Sequence, residues 1–139
     1  MSHVRGRVLV PDSAAGPLLR LRAPISFWGG IDAESGRVAD PRHPNHGASI
    51  AGQVLVVPAT IGSSSSSAIL LELFHRGLAP AGLILGATDA ILVLGVLIAQ
   101  VMGYGTIPVL ELPADEFTSL PDGVEMNISE GGVVSWRDE

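Results

Sequence analysis

The chain contains no cysteine and no lysine. Without thiols it can form no disulfide, use no cysteine nucleophile and supply no thiolate ligand to a metal. All eight basic residues are arginines, and 14 acidic residues outnumber them, for a net charge of -6. That balance argues against nucleic acid or an anionic membrane as a partner, although local arginines can still hold a small anionic substrate.

Charged residues are also scarce, at 16% of the 139 residues, whereas hydrophobic residues make up 47%. This composition excludes a disordered chain and predicts one domain, residues 1–139, with a core large enough to fold. The first residues, "MSHVRGRVLV", contain too short an apolar run for a signal peptide, so we expect a cytoplasmic protein.

The longest apolar stretch, residues 82–103, approaches the length of a membrane-spanning helix. The residues Gly86-Ala87-Thr88-Asp89 interrupt its middle, where a charge is costly in a bilayer. Asp89 instead suits the N-cap of a helix. We therefore predict a buried strand, "AGLILG", followed by a helix over "DAILVLGVLIAQVMGYG" that is apolar nearly all round and so buried.

The first third of the chain predicts extended structure. The segment "VRGRVLV" alternates as a half-buried strand does, and "LLRLRAPISFW" continues that pattern. Residues 29–47 then lack periodicity and are rich in Gly, Pro, Asp and His. We expect a long loop there, and long loops in small domains are more often functional than incidental.

The remaining elements predict the fold class. "QVLVVPA" reads as a buried strand, the following helix carries Ile69, Leu70, Leu73 and Phe74 on one face, and "TIPVLEL" is a further strand. Two short strands should flank Gly131-Gly132 in the tail. Because crossover helices connect parallel strands, we expect an α/β fold with a β/β/α domain of two or three layers.

Five consecutive serines, residues 63–67, stand between the "QVLVV" strand and its helix, which should begin near Ser65. A linker at this point would cut a strand–helix unit in two. Helix N-termini expose unpaired N–H groups and partial positive charge, so a small-residue turn there can hold an oxygen-rich anion. One serine serving as a cap, with the others solvated, explains the run equally well. Gly62 favours the anion-binding alternative, although the missing lysine excludes a P-loop.

The long loop offers a weak metal motif, in which Asp40, His43 and His46 have the spacing D-x-x-H-x-x-H. Outside a helix this spacing has little specificity, and we predict no metal site. Turn and backbone hydrogen bonds from Asp and His are the plainer explanation.

Residues 25–73 combine three motifs in order. They read G-G-I-D-x-x-S-G, then D-x-x-H-P-x-x-G-x-S-I-x-G, then a strand followed by G-S-S. Together they resemble the small subunit, or swivel domain, of the aconitase X family, and the likeness extends to about Leu110. One departure is visible: residues 59–61 are Ala-Thr-Ile, where many members carry glycine and a basic residue.

The resemblance implies a swivelling domain similar to the fourth domain of aconitase and a dehydration reaction. It implies that Ser63, the first serine after Gly62, is the proton acceptor and that Ser64 supports it. A free serine hydroxyl is a poor base, so it needs surroundings that stabilise the alkoxide, and a helix N-terminus provides them. Residues implied to bind substrate or to form the subunit interface are Gly62, Asp32, Asp40 and His43.

The resemblance also implies an iron–sulfur cluster, which acts as a Lewis acid on the leaving hydroxide. A chain without thiolates cannot ligate one, so the cluster is expected on a large partner subunit. Family substrates are cis-3-hydroxy-L-proline and (R)-5-phosphomevalonate. We predict the former, because no basic residue stands near Ile61 and because arginine without lysine suggests a GC-rich bacterial genome. The alternatives are the phosphomevalonate enzyme, a phosphocarrier-type swivel domain, which would need histidine in place of the serines, and a non-catalytic binding module.

Overall fold

The computed structural model describes residues 1–62 and 64–138. The strands are β1 (Ser2–Arg5), β2 (Arg7–Val10), β3 (Ala14–Arg20), β4 (Ile31–Asp32), β5 (Arg37–Val38), β6 (Val54–Val57), β7 (Gly82–Leu85), β8 (Val109–Glu111), β9 (Glu125–Ile128) and β10 (Val133–Trp136). The helical elements are the turn α1 (Phe27–Gly30), the helices α2 (Ser66–His75) and α3 (Ala90–Val101), and the 3-10 helix η1 (Ala114–Ser119).

Eight of these strands form one sheet in the order β1-β10-β9-β3-β6-β7-β8-β2. Strands β3, β6, β7 and β8 pair in parallel, and the other pairs are antiparallel. The two end strands, β1 and β2, are consecutive in the chain and separated only by Gly6. The sheet therefore closes on itself, and the Gly6 amide donates to the carbonyl of Gly132 at 2.9 Å beside this junction.

Strand β6 lies at the centre, and its four side chains are fully buried. Leu55 and Val57 pack in one apolar cluster with residues of α2 and α3. Val54 and Val56 pack in a second cluster with residues of β9, β10 and η1. Helices thus cover one face of the parallel strands and antiparallel strands cover the other, which confirms the predicted β/β/α arrangement. That residues 1–139 form a single domain stays a prediction.

The N-terminal strand predictions are wrong in detail. "VRGRVLV" is two strands rather than one. The residues before Gly6 pair with β10, and the residues after it pair with β8. A Cβ at Gly6 would lie 3.0 Å from the carbonyl oxygen of Glu111. The strand predicted within "LLRLRAPISFW" corresponds to β3, which begins earlier than expected, at Ala14, and ends at Arg20. The long loop, residues 29–47, contains the hairpin formed by β4 and β5.

Helix α3 starts where the sequence predicts, because Asp89 is its N-cap. The carboxylate oxygen Oδ1 accepts hydrogen bonds from the amides of Ile91 at 2.8 Å and Leu92 at 3.3 Å. Gly95 faces α2, where a Cβ would lie 3.1 Å from the carbonyl oxygen of Ser67. The two helices therefore approach closely at a position without a side chain.

The expectation that α3 is buried on all sides is wrong. Leu94, Leu97 and Val101 are 47%, 44% and 87% exposed on its outer face. The helix also ends at Val101, four residues before the predicted end. None of the helices in the described part of the chain reaches the length and apolarity that crossing a bilayer requires. The cytoplasmic location stays a prediction.

The junction between β1 and β2 generates the first testable prediction. Gly132 has φ +87, and a Cβ there would lie 2.7 Å from the carbonyl oxygen of Gly6. Gly132→Ala should therefore lower the free energy of unfolding by about 2–4 kcal/mol, through overpacking and the left-handed backbone. Thermal and urea unfolding measure the loss.

The neighbouring Gly131 is the matched control, because the nearest described atom to its added Cβ is the Ser129 hydroxyl at 3.9 Å. Gly131→Ala should change stability by about 1 kcal/mol or less. Equal losses in the two variants would contradict the tight closure of the sheet.

Candidate active site

The serine run follows the carboxyl end of β6. The strand ends at Val57, residues 58–62 follow it, and α2 begins at Ser66. Strands β7 and β8 run parallel to β6 and end at the same edge. Ligands of parallel sheets bind outside the carboxyl ends of the strands, so this edge is the candidate site. The predicted strand–turn–helix order is confirmed, whereas Ser63 itself lies outside the described residues.

The segment that precedes the serines is attached to Ile25. The Ile25 amide donates to the carbonyl of Ala59 at 3.2 Å, and the Ile61 amide donates to the carbonyl of Ile25 at 2.9 Å. Thr60 forms an isolated parallel bridge with Ile25 between these two bonds. The chain therefore approaches the serine run in extended form, paired with Ile25.

The described serines differ in their surroundings. Ser64 is exposed, and its carbonyl accepts a hydrogen bond from the Ser67 hydroxyl at 3.2 Å. Ser66 is buried as the first residue of α2. Gly62 is exposed, and a Cβ there would meet no described atom within 4 Å. Gly62 and Ser64 thus face solvent, while Ser66 belongs to the helix.

A cleft of about 470 Å³ lies beside this loop. Its apolar rim is formed by Trp28 and Ile61, which are 58% and 60% exposed. Asp40 and Arg42 provide its charged groups, and Gly29 is among its other lining residues. The cleft therefore offers a carboxylate, a guanidinium and an apolar edge next to the serine run.

Asp40 accepts two hydrogen bonds from Arg42 on the same oxygen, from the amide at 2.9 Å and from Nε at 3.3 Å. The amide bond is the main cause that holds the pKa of the Asp40 carboxyl below its usual value. Asp40 is therefore an anion at neutral pH, and Arg42 is its counterion at the mouth of the cleft.

His43 is only 7% exposed and is turned into the fold. Its Nδ1 accepts from the Asn45 amide at 3.0 Å, so the proton resides on Nε2, which lies 3.0 Å from the carbonyl oxygen of Ala23. Nε2 thus ties the loop to the segment after β3, and Nδ1 fixes the turn within the loop itself. A role of His43 toward substrate or partner stays a prediction.

Asp32 is the last residue of β4, directly before the turn to β5, and it does not line the cleft. Its carboxylate accepts from the Ser35 hydroxyl at 2.7 Å and the Glu34 amide at 3.1 Å. The Ser35 bond is the main cause that lowers the pKa of Asp32. Its predicted role, like that of Asp40, stays a prediction. Within residues 1–62 and 64–138 no three His, Cys, Asp or Glu side chains come together as metal ligands.

Two groups of hydrogen bonds at this edge were not predicted from the sequence. The Thr60 hydroxyl donates to Asp89 Oδ2 at 2.5 Å. Farther along the edge, Glu111 accepts from the Thr88 amide at 2.9 Å, from the Thr88 hydroxyl and from Arg7 Nε at 3.0 Å. The Thr88 hydroxyl and then Arg7 lower the pKa of Glu111. These contacts join the ends of β6, β7 and β8, and their partners lie too far apart in the sequence to share a local pattern.

Residues 3–136 match the family described as the aconitase X swivel domain. This chain belongs to the aconitase X swivel domain family. The fold prediction that was based on the motifs is thereby confirmed for almost the whole chain.

Relatives of this swivel domain occur in proteins of two sizes. It is 37% identical to the cis-3-hydroxy-L-proline dehydratase of Hypocrea jecorina, over 96% of this chain but only 22% of that protein. It is 33% identical to the phosphomevalonate dehydratase small subunit of Methanothermobacter thermautotrophicus, over 91% of this chain and 95% of that protein. The chain thus spans about a fifth of the longer relative and nearly all of the shorter one.

Among solved structures, the swivel domain resembles the holo-form of Thermococcus kodakaraensis aconitase X, with a TM-score of 0.88 and 29% identity. The match covers 99% of this chain and 100% of that one. The sheet topology and the helices are therefore those of an aconitase X chain of the same length.

The lowered pKa of Glu111 generates a pH prediction. Its stabilisation of the swivel domain should be fully present above the unfolded-state pKa, about 4.3, and should disappear as the pH falls through the lower folded-state pKa. Glu111→Gln should therefore destabilise the domain at neutral pH, and its difference from the wild type should shrink in acid. Urea unfolding between about pH 3 and about pH 7 measures this.

Glu130→Gln removes the same charge from an exposed turn and serves as the control. The pH-dependent part of the Glu111→Gln loss should exceed that of this control. A Glu111→Gln profile parallel to that of the wild type would contradict the lowered pKa.

Proposed function

We propose that this chain is the small, swivelling subunit of an aconitase X-type hydro-lyase that shares its active site with a large subunit. The family match over residues 3–136 carries this proposal. The near full-length likeness to a dehydratase small subunit supports a separate partner chain. The location of the serine run at the carboxyl edge of the sheet, next to a cleft, supports a role in a shared site.

The proposed reaction is the dehydration of a small hydroxy acid. A proton leaves the carbon next to the carboxylate, a carbon–carbon double bond forms, and hydroxide leaves the neighbouring carbon, so that the proton and the hydroxide together account for one water. Ser63 is the proposed proton acceptor, acting as an alkoxide stabilised by the N-terminus of α2. Ser64, the next residue in the sequence, is exposed and is the proposed supporting hydrogen-bond donor.

The residues of this chain do not fit the iron–sulfur cluster that the family resemblance implies. The sequence has no cysteine, and the described residues contain no group of three potential metal ligands. We therefore assign the cluster to the large subunit, and we propose no step in which this chain ligates it.

The proposed substrate is cis-3-hydroxy-L-proline. Residues 58–62, which lead into the serine run, carry no basic side chain that would pair with a phosphate. Arg42 is the cation of the cleft, and one guanidinium suits a carboxylate. Phosphomevalonate is the second candidate, because the relatives that match this chain over nearly their whole length are phosphomevalonate dehydratase small subunits. An assay of the reconstituted complex on both substrates decides between them.

The proposed contact with the large subunit is the rim of the cleft. Trp28 and Ile61 are large apolar side chains that stay more than half exposed beside the serine loop. Aromatic residues are enriched at the energetic centres of interfaces. Docking at this rim would bring the serine run into contact with the partner and exclude water from the site.

The central prediction concerns Ser63 as the base. Ser63→Ala removes the proton acceptor but keeps Gly62, β6 and the remaining serines. Turnover of the reconstituted complex should fall by at least ~10²-fold, the usual scale for losing a positioned base. Any loss of helix capping should cost about 1 kcal/mol or less, so the melting temperature should change little.

Ser65→Ala is the contrasting control and should reduce turnover far less. Steady-state kinetics and thermal melts of both variants make the comparison. Equal, mild losses would mean that the serine run only caps the helix and that the base lies elsewhere.

The subunit contact generates a further prediction. The purified chain alone should show no dehydratase turnover. Adding the large subunit should slow amide exchange across residues 29–47 and 59–62, which hydrogen-exchange measurements detect.

The Trp28 side chain tests the same contact. Trp28→Ala should raise the Kd of the two subunits by about 30-fold, the equivalent of a hot-spot loss of about 2 kcal/mol. Calorimetric titration measures this Kd.

Tyr104→Ala is the matched control, because Tyr104 is a part-exposed aromatic residue beyond the end of α3. It should leave the Kd within about 2-fold of the wild type. A loss for Tyr104→Ala without one for Trp28→Ala would place the contact on the α3 face, and turnover by the isolated chain would overturn the two-subunit proposal.

A further inference from the structure

A short hydrogen bond ties the loop that carries the serines to the start of the neighbouring helix. The Thr60 hydroxyl donates to Asp89 Oδ2 at 2.5 Å, and both residues are partly buried. Thr60 lies three residues before Ser63, which limits the distance between their Cα atoms to about 11 Å. The bond therefore acts on the chain immediately before the proposed base.

The Asp89 carboxylate is held in place by other contacts. Its Oδ1 accepts from the amides of Ile91 and Leu92 at the N-terminus of α3. Those two bonds cap the helix without help from Oδ2. The bond to Thr60 is therefore additional to capping, and it can be removed while the cap stays intact.

The loops that follow β6 and β7 are also held together where they leave the strands. The Gly86 amide donates to the carbonyl of Val57 at 2.9 Å, and a Cβ at Gly86 would lie 2.3 Å from the carbonyl oxygen of Pro58. Thr88 is fixed to Glu111 on the opposite side. Asp89 is thus a rigid acceptor, and its hydrogen bond can orient Thr60.

The main chain at Thr60 has its own support, since the residues on either side of it are bonded to Ile25. The backbone is held on one side and the hydroxyl on the other, so the direction of the chain at this point is set. Beyond it, Gly62 and Ser64 are exposed. Thr60 is the last residue before Gly62 with a side-chain hydrogen bond among those described.

We propose that Thr60 and Asp89 are positioning residues, whose hydrogen bond aligns the serine run with the substrate. This inference rests on the proposed function. A misplacement of about 1 Å can cost on the order of 10²-fold in rate, so the pair affects catalysis without touching the substrate. Its effect should appear in kcat rather than in KM, because substrate binding uses other groups.

The test uses the reconstituted two-subunit complex with cis-3-hydroxy-L-proline and with phosphomevalonate. Thr60→Val keeps the shape of the side chain and deletes the hydroxyl. We expect kcat to fall by at least ~10-fold with KM within about 3-fold. Thr60→Ser keeps the hydroxyl and should restore kcat to within about 3-fold of the wild type.

Thr106→Val is the matched control, because the Thr106 hydroxyl is buried without a hydrogen-bond partner among the described residues. It should leave kcat and KM unchanged. Wild-type kcat in Thr60→Val, or an equal loss in Thr60→Ser, would overturn the positioning role.

The double variant Thr60→Val/Ser63→Ala separates positioning from general destabilisation. If Thr60 acts through the base, the double variant should be no slower than Ser63→Ala alone. Losses that multiply would overturn the inference and leave the proposed function standing. A wild-type complex that dehydrates neither substrate would instead overturn the proposed function, and this inference with it.

Discussion

Strand β6 pairs in parallel with β3 on one side and β7 on the other, and its four side chains are completely buried. A strand buried on both faces requires a layer on each side, which the helices and the antiparallel strands provide. The connections between β6, β7 and β8 must then cross over the sheet, so the carboxyl ends of all three strands meet at one edge. This constraint places the serine loop, the Asp89 cap and Glu111 together.

The same constraint explains why the serine loop can be both supported and accessible. Before Gly62 the chain is tied to Ile25 and Asp89, and after Ser65 it is a helix packed on the sheet. Between these supports, Gly62 and Ser64 are exposed. Under the proposed function, the serine run would serve a site whose other groups belong to another chain or to the remainder of a longer one. The relatives show both sizes, since this domain corresponds to about a fifth of one dehydratase and to nearly all of a small subunit.

The sequence predicted those features that depend on local patterns. The apolar run of β6, the start of α2 and the N-cap at Asp89 follow from neighbours within a few residues, and all three were confirmed. The family resemblance of residues 25–73 extended the prediction from these local elements to the fold as a whole. The roles of Ser63, Ser64 and His43 stay predictions, because Ser63 lies outside the described residues and the contacts of Ser64 and His43 do not reveal a catalytic or binding role.

The features that were missed depend on residues far apart in the chain. The strand break at Gly6 is marked in the sequence only by the glycine itself, because a strand that changes partners alternates like one that does not. Helix α3 is apolar all round, so its sequence did not distinguish the buried face from the exposed Leu94 and Val101. Thr60 and Asp89 are 29 residues apart, and a hydrogen bond over that separation follows from the parallel pairing rather than from spacing.

An experimental structure of the two-subunit complex with a bound substrate analogue tests the central claim most directly. The quantity to measure is the distance from Ser63 Oγ to the carbon that loses its proton. We predict close to hydrogen-bond reach, about 3–3.5 Å, with the cleft rim at Trp28 and Ile61 buried against the large subunit. A Ser63 hydroxyl turned away from the analogue, with a side chain of the large subunit in its place, would contradict the account.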